Sequence, residues 1–180
     1  MTTIIRPAAE ADLPAILAIY NDAVAKTTAI WNDHPADLAN RRAWFYARAT
    51  QNYPILVAEE DSLAVGYGSF GDFRPFDGYR FTVEHSVYVA EGVRRRGIAS
   101  ALIAALEERA LEQGKHVMVA GIAADNDASI RLHERLGFVE SGRMPEVGFK
   151  FGRWLDLVLM QKRLLTADPP ALDNAAAGPI

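Results

Sequence analysis

The sequence predicts an α/β domain in which helices flank a mixed β-sheet, and three observations carry that expectation. Segments with apolar residues at every second position take turns with segments whose apolar residues recur every three or four. One junction between the two patterns is sharp. His85-Ser86-Val87-Tyr88-Val89 alternates as a strand does, whereas Ile98, Leu102 and Leu106, flanked by Ala99, Ile103 and Ala110, form the stripe of a helix that Gly114 ends. Finally, 180 residues, 50% hydrophobic and 23% charged, suit one globular domain with a sizeable core.

Taken in order, Thr3 to Arg6 reads as a short strand stopped by Pro7. Asp12 is placed to cap a helix with Pro14 in its first turn and Leu13, Ile16, Leu17, Tyr20 and Val24 on its apolar face. A second helix follows Pro35 and holds Leu38, Trp44, Phe45 and Ala49. Ile55 to Ala58 and Leu63 to Phe70 form a hairpin about the acidic turn Glu59-Glu60-Asp61-Ser62. Asp72 to Tyr79 is a loop, Phe81 to Val89 a strand, Val117 to Ala123 another, and Asp127 to Leu136 a helix. Phe138 to Glu140, Val147 to Phe151 and Trp154 to Lys162 supply the last strands. The domain is expected over residues 1–165. From Thr166 onward Ala, Pro and Asp dominate without periodicity, so 166–180 is expected to be a disordered tail.

Composition narrows the function. A net charge of −4 argues against a nucleic-acid partner. The absence of cysteine removes disulfides, zinc-thiolate sites and any acyl-cysteine intermediate, and no metal site is expected. The first residues lack the apolar core of a signal peptide, and no apolar run is long enough to span a membrane, so a cytoplasmic protein with no membrane partner is expected. Gly66-x-Gly68-x-x-Gly71 fits a dinucleotide-binding pattern, but a Pro-containing loop follows Gly71 where that motif needs a helix. These glycines read instead as bulges or points of close approach.

The junction after Val89 carries the chemistry. Gly92-Val93-Arg94-Arg95-Arg96-Gly97 joins a strand to the first turn of a helix, Ile98-Ala99-Ser100. Such a loop aims unpaired backbone N–H groups at one point, where the helix dipole favours negative charge, so a diphosphate fits. Gly97 lets the backbone approach it, and the three arginines add charge-assisted bonds. Arg94-x-x-Gly97-x-Ala99 resembles the acyl-CoA pyrophosphate loop of the GNAT superfamily of N-acetyltransferases. Asn126-Asp127-Ala128-Ser129-Ile130-Arg131-Leu132-His133-Glu134-Arg135-Leu136-Gly137-Phe138 resembles that superfamily's second signature.

The resemblance implies a GNAT fold, a mixed central β-sheet splayed at the acetyl-CoA site, with acetyl-CoA as cosubstrate. Val87, Tyr88 and Val89 would run beside the pantetheine arm, with a backbone N–H near Val89 facing the thioester oxygen. Arg94, Arg95, Arg96, Gly97, Ile98, Ala99 and Ser100 would hold the pyrophosphate. Asn126, Ser129 and His133 would contact the cofactor, although Asn126 also suits a helix cap. Many members carry Tyr where this chain has His133, so His133 either protonates the departing thiolate or only bonds to CoA.

Glu84 is the candidate general base, because a carboxylate among apolar neighbours acquires a raised pKa and sits just upstream of the expected thioester. His85 is the rival, on the opposite face of the strand. Phe73, Arg74, Pro75, Phe76 and Arg80, with Glu84, His85 and Ser86, would form the amine site, where an arginine grips a carboxylate or phosphinate. Trp31 and Trp154 either wall that site or belong to the core.

Several stretches narrow the resemblance to the phosphinothricin and methionine sulfoximine N-acetyltransferases: Ile5 to Ala8, Ile19 to Asn21, Thr82 to Val89 and Gly148 to Trp154. That implies acetylation of the α-amino group of a small amino-acid-like substrate by a homodimer. A peptide or protein N-terminal acetyltransferase and a non-catalytic acyl-CoA sensor are the alternatives.

Overall fold

A computed structural model of the chain describes residues 2–164, so the tail expected over 166–180 lies outside the described residues. Seven strands form one sheet in the order β1-β2-β3-β4-β5-β7-β6. They are β1 (Ile4–Pro7), β2 (Ile55–Glu60), β3 (Leu63–Asp72), β4 (Thr82–Val89), β5 (Val117–Ala123), β6 (Val139–Lys150) and β7 (Arg153–Arg163). Helices α1 (Leu13–Lys26) and α2 (Leu38–Thr50) cover one face. Helices α3 (Ile98–Glu112) and α4 (Asp127–Arg135) cover the other. Every pairing is antiparallel except β4 with β5, which helix α3 connects.

Alternation in the strands divides the core between the two layers. In β2, Ile55 and Val57 pack with Leu13, Ile16, Tyr20 and Tyr67, whereas Leu56 and Ala58 pack with Ile98, Leu102 and Leu106 of α3. The glycines of β3 bring that helix close. A Cβ on Gly68 would fall 2.8 Å from a Val87 methyl and 3.0 Å from a Leu106 methyl, and one on Gly66 would fall 3.2 Å from Ile98. Close approach, not nucleotide binding, accounts for them.

Two expectations are corrected. Asp12 makes no side-chain cap on α1. Its carboxylate instead receives Arg6 at 2.7 and 2.9 Å and the Ala9 N–H at 2.8 Å, so an ion pair joins β1 to the turn before the helix. The two short strands expected around Val139 and Val147 are one strand, β6, whose register against β7 shifts between Glu140 and Gly142 and between Met144 and Gly148. Such bulges break the period-two pattern without ending the strand. Two other helices carry side-chain caps, the one at Asn126 as expected. Asp37 accepts the Asn40 N–H at 2.7 Å, and Asn126 accepts the Ser129 N–H at 3.1 Å at the start of α4.

Candidate active site

The parallel seam is where the sheet opens. β4 and β5 pair only through Thr82, Val83 and Glu84 against Val117, Met118 and Val119. Beyond that, β4 stays paired with β3 through Ser86 to Val89, and β5 stays paired with β7 through Ala120 to Ala123. The strands therefore diverge, leaving facing backbone groups unpaired across the gap. A cleft of about 110 Å³ occupies it. Its lining includes His85, Ser86, Val87 and Tyr88 of β4, Ala99 and Ile103 of α3, Ala120 to Ala123 of β5, and Asn126, Ser129 and His133 at α4. Val87, Tyr88, Ala99, Asn126, Ser129 and His133, all expected to bind the cofactor, are thus brought to one place.

The loop at the mouth of this cleft is built by backbone geometry. A single 3-10 turn over Glu91–Val93 leads into Arg95 at φ 65° and Gly97 at φ 81°, and α3 begins at Ile98. A Cβ on Gly97 would meet nothing within 4 Å, so the left-handed turn, rather than crowding, is what demands glycine here. The first N–H groups of α3, from Ile98, Ala99 and Ser100, lack helical partners and point out of its N-terminus. The three arginines divide their work. The Arg94 Nε donates to the Val89 carbonyl at 3.3 Å. Arg96 pairs at 3.0 Å with Glu60, which is buried at the end of β2 and also accepts the Thr3 hydroxyl at 2.6 Å. Arg96 therefore acts as a strut for the loop, while Arg94 and Arg95 lie at its exposed rim.

Glu84 and His85 take opposite faces, as alternation requires. Glu84 leans forward across the mouth of the gap, its Oε1 3.0 Å from where a Cβ on Gly121 would stand. A side chain at residue 121 would crowd the carboxylate. Sequence reasoning missed Gly121, and its only signal was a lone glycine inside a strand. Burial raises the Glu84 pKa, and the charge of Arg74 partly offsets it. Arg74 itself rests on the Phe73 ring at 4.6 Å. Arg80 is turned to its own loop, donating to the Asp77 carbonyl at 2.9 Å, with its guanidinium over Phe81. Phe76 is 69% exposed, and Pro75 is exposed beside it. Of the residues expected at the amine site, the structure thus brings Arg74 within electrostatic range of Glu84 and puts Ser86 in the cleft. Arg80, Pro75 and Phe76 lie further out along the loop.

His85 faces the α3 and α4 layer and is buried, stacked on His133 at a ring separation of 5.2 Å. The two Nε2 atoms are 3.2 Å apart, and His133 Nδ1 lies 2.7 Å from the Ser129 carbonyl. A carbonyl only accepts, so Nδ1 of His133 carries its proton and Nε2 offers a lone pair. Nε2 of His85 must then donate, which leaves His85 Nδ1 as a buried acceptor with no protein partner. Burial pushes His85 down to about 3, with His133 adding to the effect, and burial lowers His133 as well. Burial thus favours the neutral form of both rings, with both protons already committed.

An open parallel seam, a helix N-terminus with an arginine-bearing loop at its mouth, and a half-buried carboxylate behind it define a CoA-dependent acyltransferase. Comparison with known proteins agrees. Residues 16–138 match the model of the Acetyltransferase (GNAT) family, and the chain belongs to that family. An L-methionine sulfoximine/L-methionine sulfone acetyltransferase of Pseudomonas paraeruginosa is 63% identical over 165 residues, covering 91% of this chain and 96% of that protein. A phosphinothricin N-acetyltransferase of Alcaligenes faecalis is 39% identical over 165 residues, covering 91% and 84%. A solved acetyltransferase of Salmonella typhimurium, with its cofactor acetyl-CoA, superposes with a TM-score of 0.91 at 52% identity, covering 95% of this chain and 99% of that one. The cosubstrate is acetyl-CoA, and the loop and seam fit it, since both present unpaired donors where a diphosphate and an amide-bearing arm need them. Among the described residues no cluster of metal-ligating side chains occurs, and no helix is long and apolar enough to cross a membrane.

Proposed function

We propose that the protein acetylates the α-amino group of a small amino acid or analogue of the methionine sulfoximine or phosphinothricin type, with Glu84 as general base. The observation that carries this reading is the Glu84 carboxylate, leaning over Gly121 into the open seam with Arg74 nearby. A carboxylate with an arginine in electrostatic range suits the two charged ends of an amino acid. Acetyl-CoA supplies the activated acetyl thioester. Glu84 accepts the proton of the substrate ammonium, directly or through one water, and its raised pKa favours that transfer. Arg74 holds the substrate carboxylate. The Val89 N–H and the unpaired backbone of β4 orient the thioester carbonyl, and the loop from Arg94 to Ser100 anchors the diphosphate.

We assign His133 a binding role, not an acid role, because neither proton of the His85–His133 pair is free to reach a thiolate. A thiol of pKa about 8.5 leaves without an imidazole acid. Replacing His133 with Phe is therefore expected to raise the KM for acetyl-CoA while changing kcat less than about threefold. A fall in kcat of about two orders of magnitude at unchanged KM would return the acid role to His133.

The exposed apolar surface of the β6–β7 hairpin, with Val147, Phe149, Phe151 and Trp154, the last 61% exposed, supports a homodimer built through this region. The absence of cysteine and a free amino acid as acceptor support a cytoplasmic location. The direct test is acetyl-CoA turnover, followed by thiol release, against free amino acids, methionine sulfoximine, phosphinothricin and short peptides. Turnover on the sulfoximine or phosphinothricin is the expected result. Turnover on peptides alone would overturn the substrate assignment, and tight acetyl-CoA binding without turnover on any amine would make the protein a sensor.

A further inference from the structure

Lys150 ends β6 and is 2% exposed, an ammonium in the interior. Among the described residues it forms no ion pair. Its three protons go to three backbone carbonyls, Val24 at 2.7 Å, Thr27 at 2.8 Å and Ile30 at 2.5 Å. The Val24 carbonyl belongs to the last turn of α1, where carbonyls lack helical partners and the dipole favours a cation. The other two lie in the turn that follows. Burial lowers the lysine pKa, and Asp33 opposes that. An ammonium without a carboxylate is expensive to bury, so the three carbonyls must hold it firmly.

The turn gathered by Lys150 is a wall of the active-site cleft. Ala29 lines it. On one side of Ala29, the Thr28 hydroxyl donates to Asp125 at 2.9 Å, and Asp125 is held in turn by Arg153. On the other, the Trp31 indole N–H donates to the Thr28 carbonyl at 2.8 Å. The Trp31 ring lies where a Cβ on Gly148 would stand, 2.2 Å from two ring carbons. Gly148 and Lys150 point to the same side of β6. One strand end thus holds the turn twice, through a missing side chain under Trp31 and a buried charge under Ile30.

We propose that Lys150 is a positioning residue for the amine side of the cleft: its ammonium fixes the turn from Thr27 to Trp31, and so the wall against which the acceptor amine is held. The inference rests on the acetyltransferase reading above. The residues expected to contact the cofactor lie on β4, α3 and α4, whereas the turn carries Trp31, a candidate wall of the amine site, so the effect of removing the charge is assigned to the amine.

The chain contains no cysteine, which allows a clean test. Lys150→Met keeps the length of the side chain and removes the charge. Lys150→Cys, alkylated with 2-bromoethylamine while unfolded and then refolded, restores an ammonium at nearly the original position. Lys150→Met is expected to raise the amine KM about tenfold or more with the acetyl-CoA dissociation constant within about twofold, and the alkylated variant to return the amine KM towards wild type. Hydrogen exchange of the amides from Thr27 to Trp31 is expected to accelerate in Lys150→Met and to slow again on alkylation, a readout that needs no turnover. Wild-type protein inactive on every amine would defeat the function proposed above, yet the exchange measurement would still decide the role of Lys150. If Lys150→Met fails to fold, Thr28→Val serves instead. It cuts the tether to Asp125 at an exposed bond, and a smaller rise in amine KM is expected. An unchanged amine KM in a folded Lys150→Met, or in Thr28→Val where the first variant does not fold, overturns the proposal. So does equal weakening for both substrates.

Discussion

Glu84→Gln is expected to lower kcat by about two to four orders of magnitude while leaving acetyl-CoA binding intact. The amide has the size and shape of the carboxylate, so it still fits over Gly121, but it accepts no proton. Acetyl-CoA affinity is spared because Glu84 is not among the residues that line the cleft between the strands. The wild-type pH profile carries the same signature. The base works deprotonated, and burial raises its pKa, so kcat/KM should fall with acidification at a pH above the usual glutamate value of about 4.3. In Glu84→Gln that limb should vanish. The variant also separates catalysis from folding. A carboxyl whose folded pKa is raised binds more protons folded than unfolded, so its contribution to stability declines as pH rises through that window. Removing the charge is then expected to leave the melting temperature at neutral pH unchanged or higher. A lower melting temperature together with the lost activity would make Glu84 structural and sink its role as base.

Arg74→Ala should act on both ends of the substrate. Loss of a charge-assisted bond to a carboxylate costs about 2 kcal/mol, which corresponds to roughly a thirtyfold rise in the amine KM, with acetyl-CoA KM unchanged. The Arg74 charge also holds the Glu84 pKa down against burial. Without it the acid limb of kcat/KM should move to higher pH. Arg74→Lys keeps a cation but not the planar fork, so it should restore the position of the limb more fully than the KM. An unchanged amine KM with an unmoved limb would remove Arg74 from the site.

What could be read from the sequence was whatever depends on near neighbours. Ile98, Leu102 and Leu106 fixed both the helix and its buried face, and the basic, glycine-containing loop before them announced an anion site. Glu84 and His85 were assigned to opposite faces by strand periodicity alone. Asp12 was misread as a cap because its better partner, Arg6, is reached only after the chain turns from strand to helix. The single strand β6 was read as two because its bulges interrupt the alternation. Nothing in the sequence ties Gly121, Ala29 or Lys150 to the cleft. Small residues lining a cleft have no chemical signature, and the three carbonyls around Lys150 lie 120 to 126 positions away in the chain. Their meaning comes from which elements the fold sets side by side.

The open seam also has a cost that the chemistry does not explain. A seven-stranded sheet normally has two edges, yet this one has four, because Ser86 to Val89 and Ala120 to Ala123 each expose a row of unpaired backbone groups in its middle. Exposed edges template pairing with other chains. Here the hazard is contained by geometry: the two inner edges diverge, and α3 and α4 lie over one side. In this sheet the walls that shape the cleft are also what shields its inner edges.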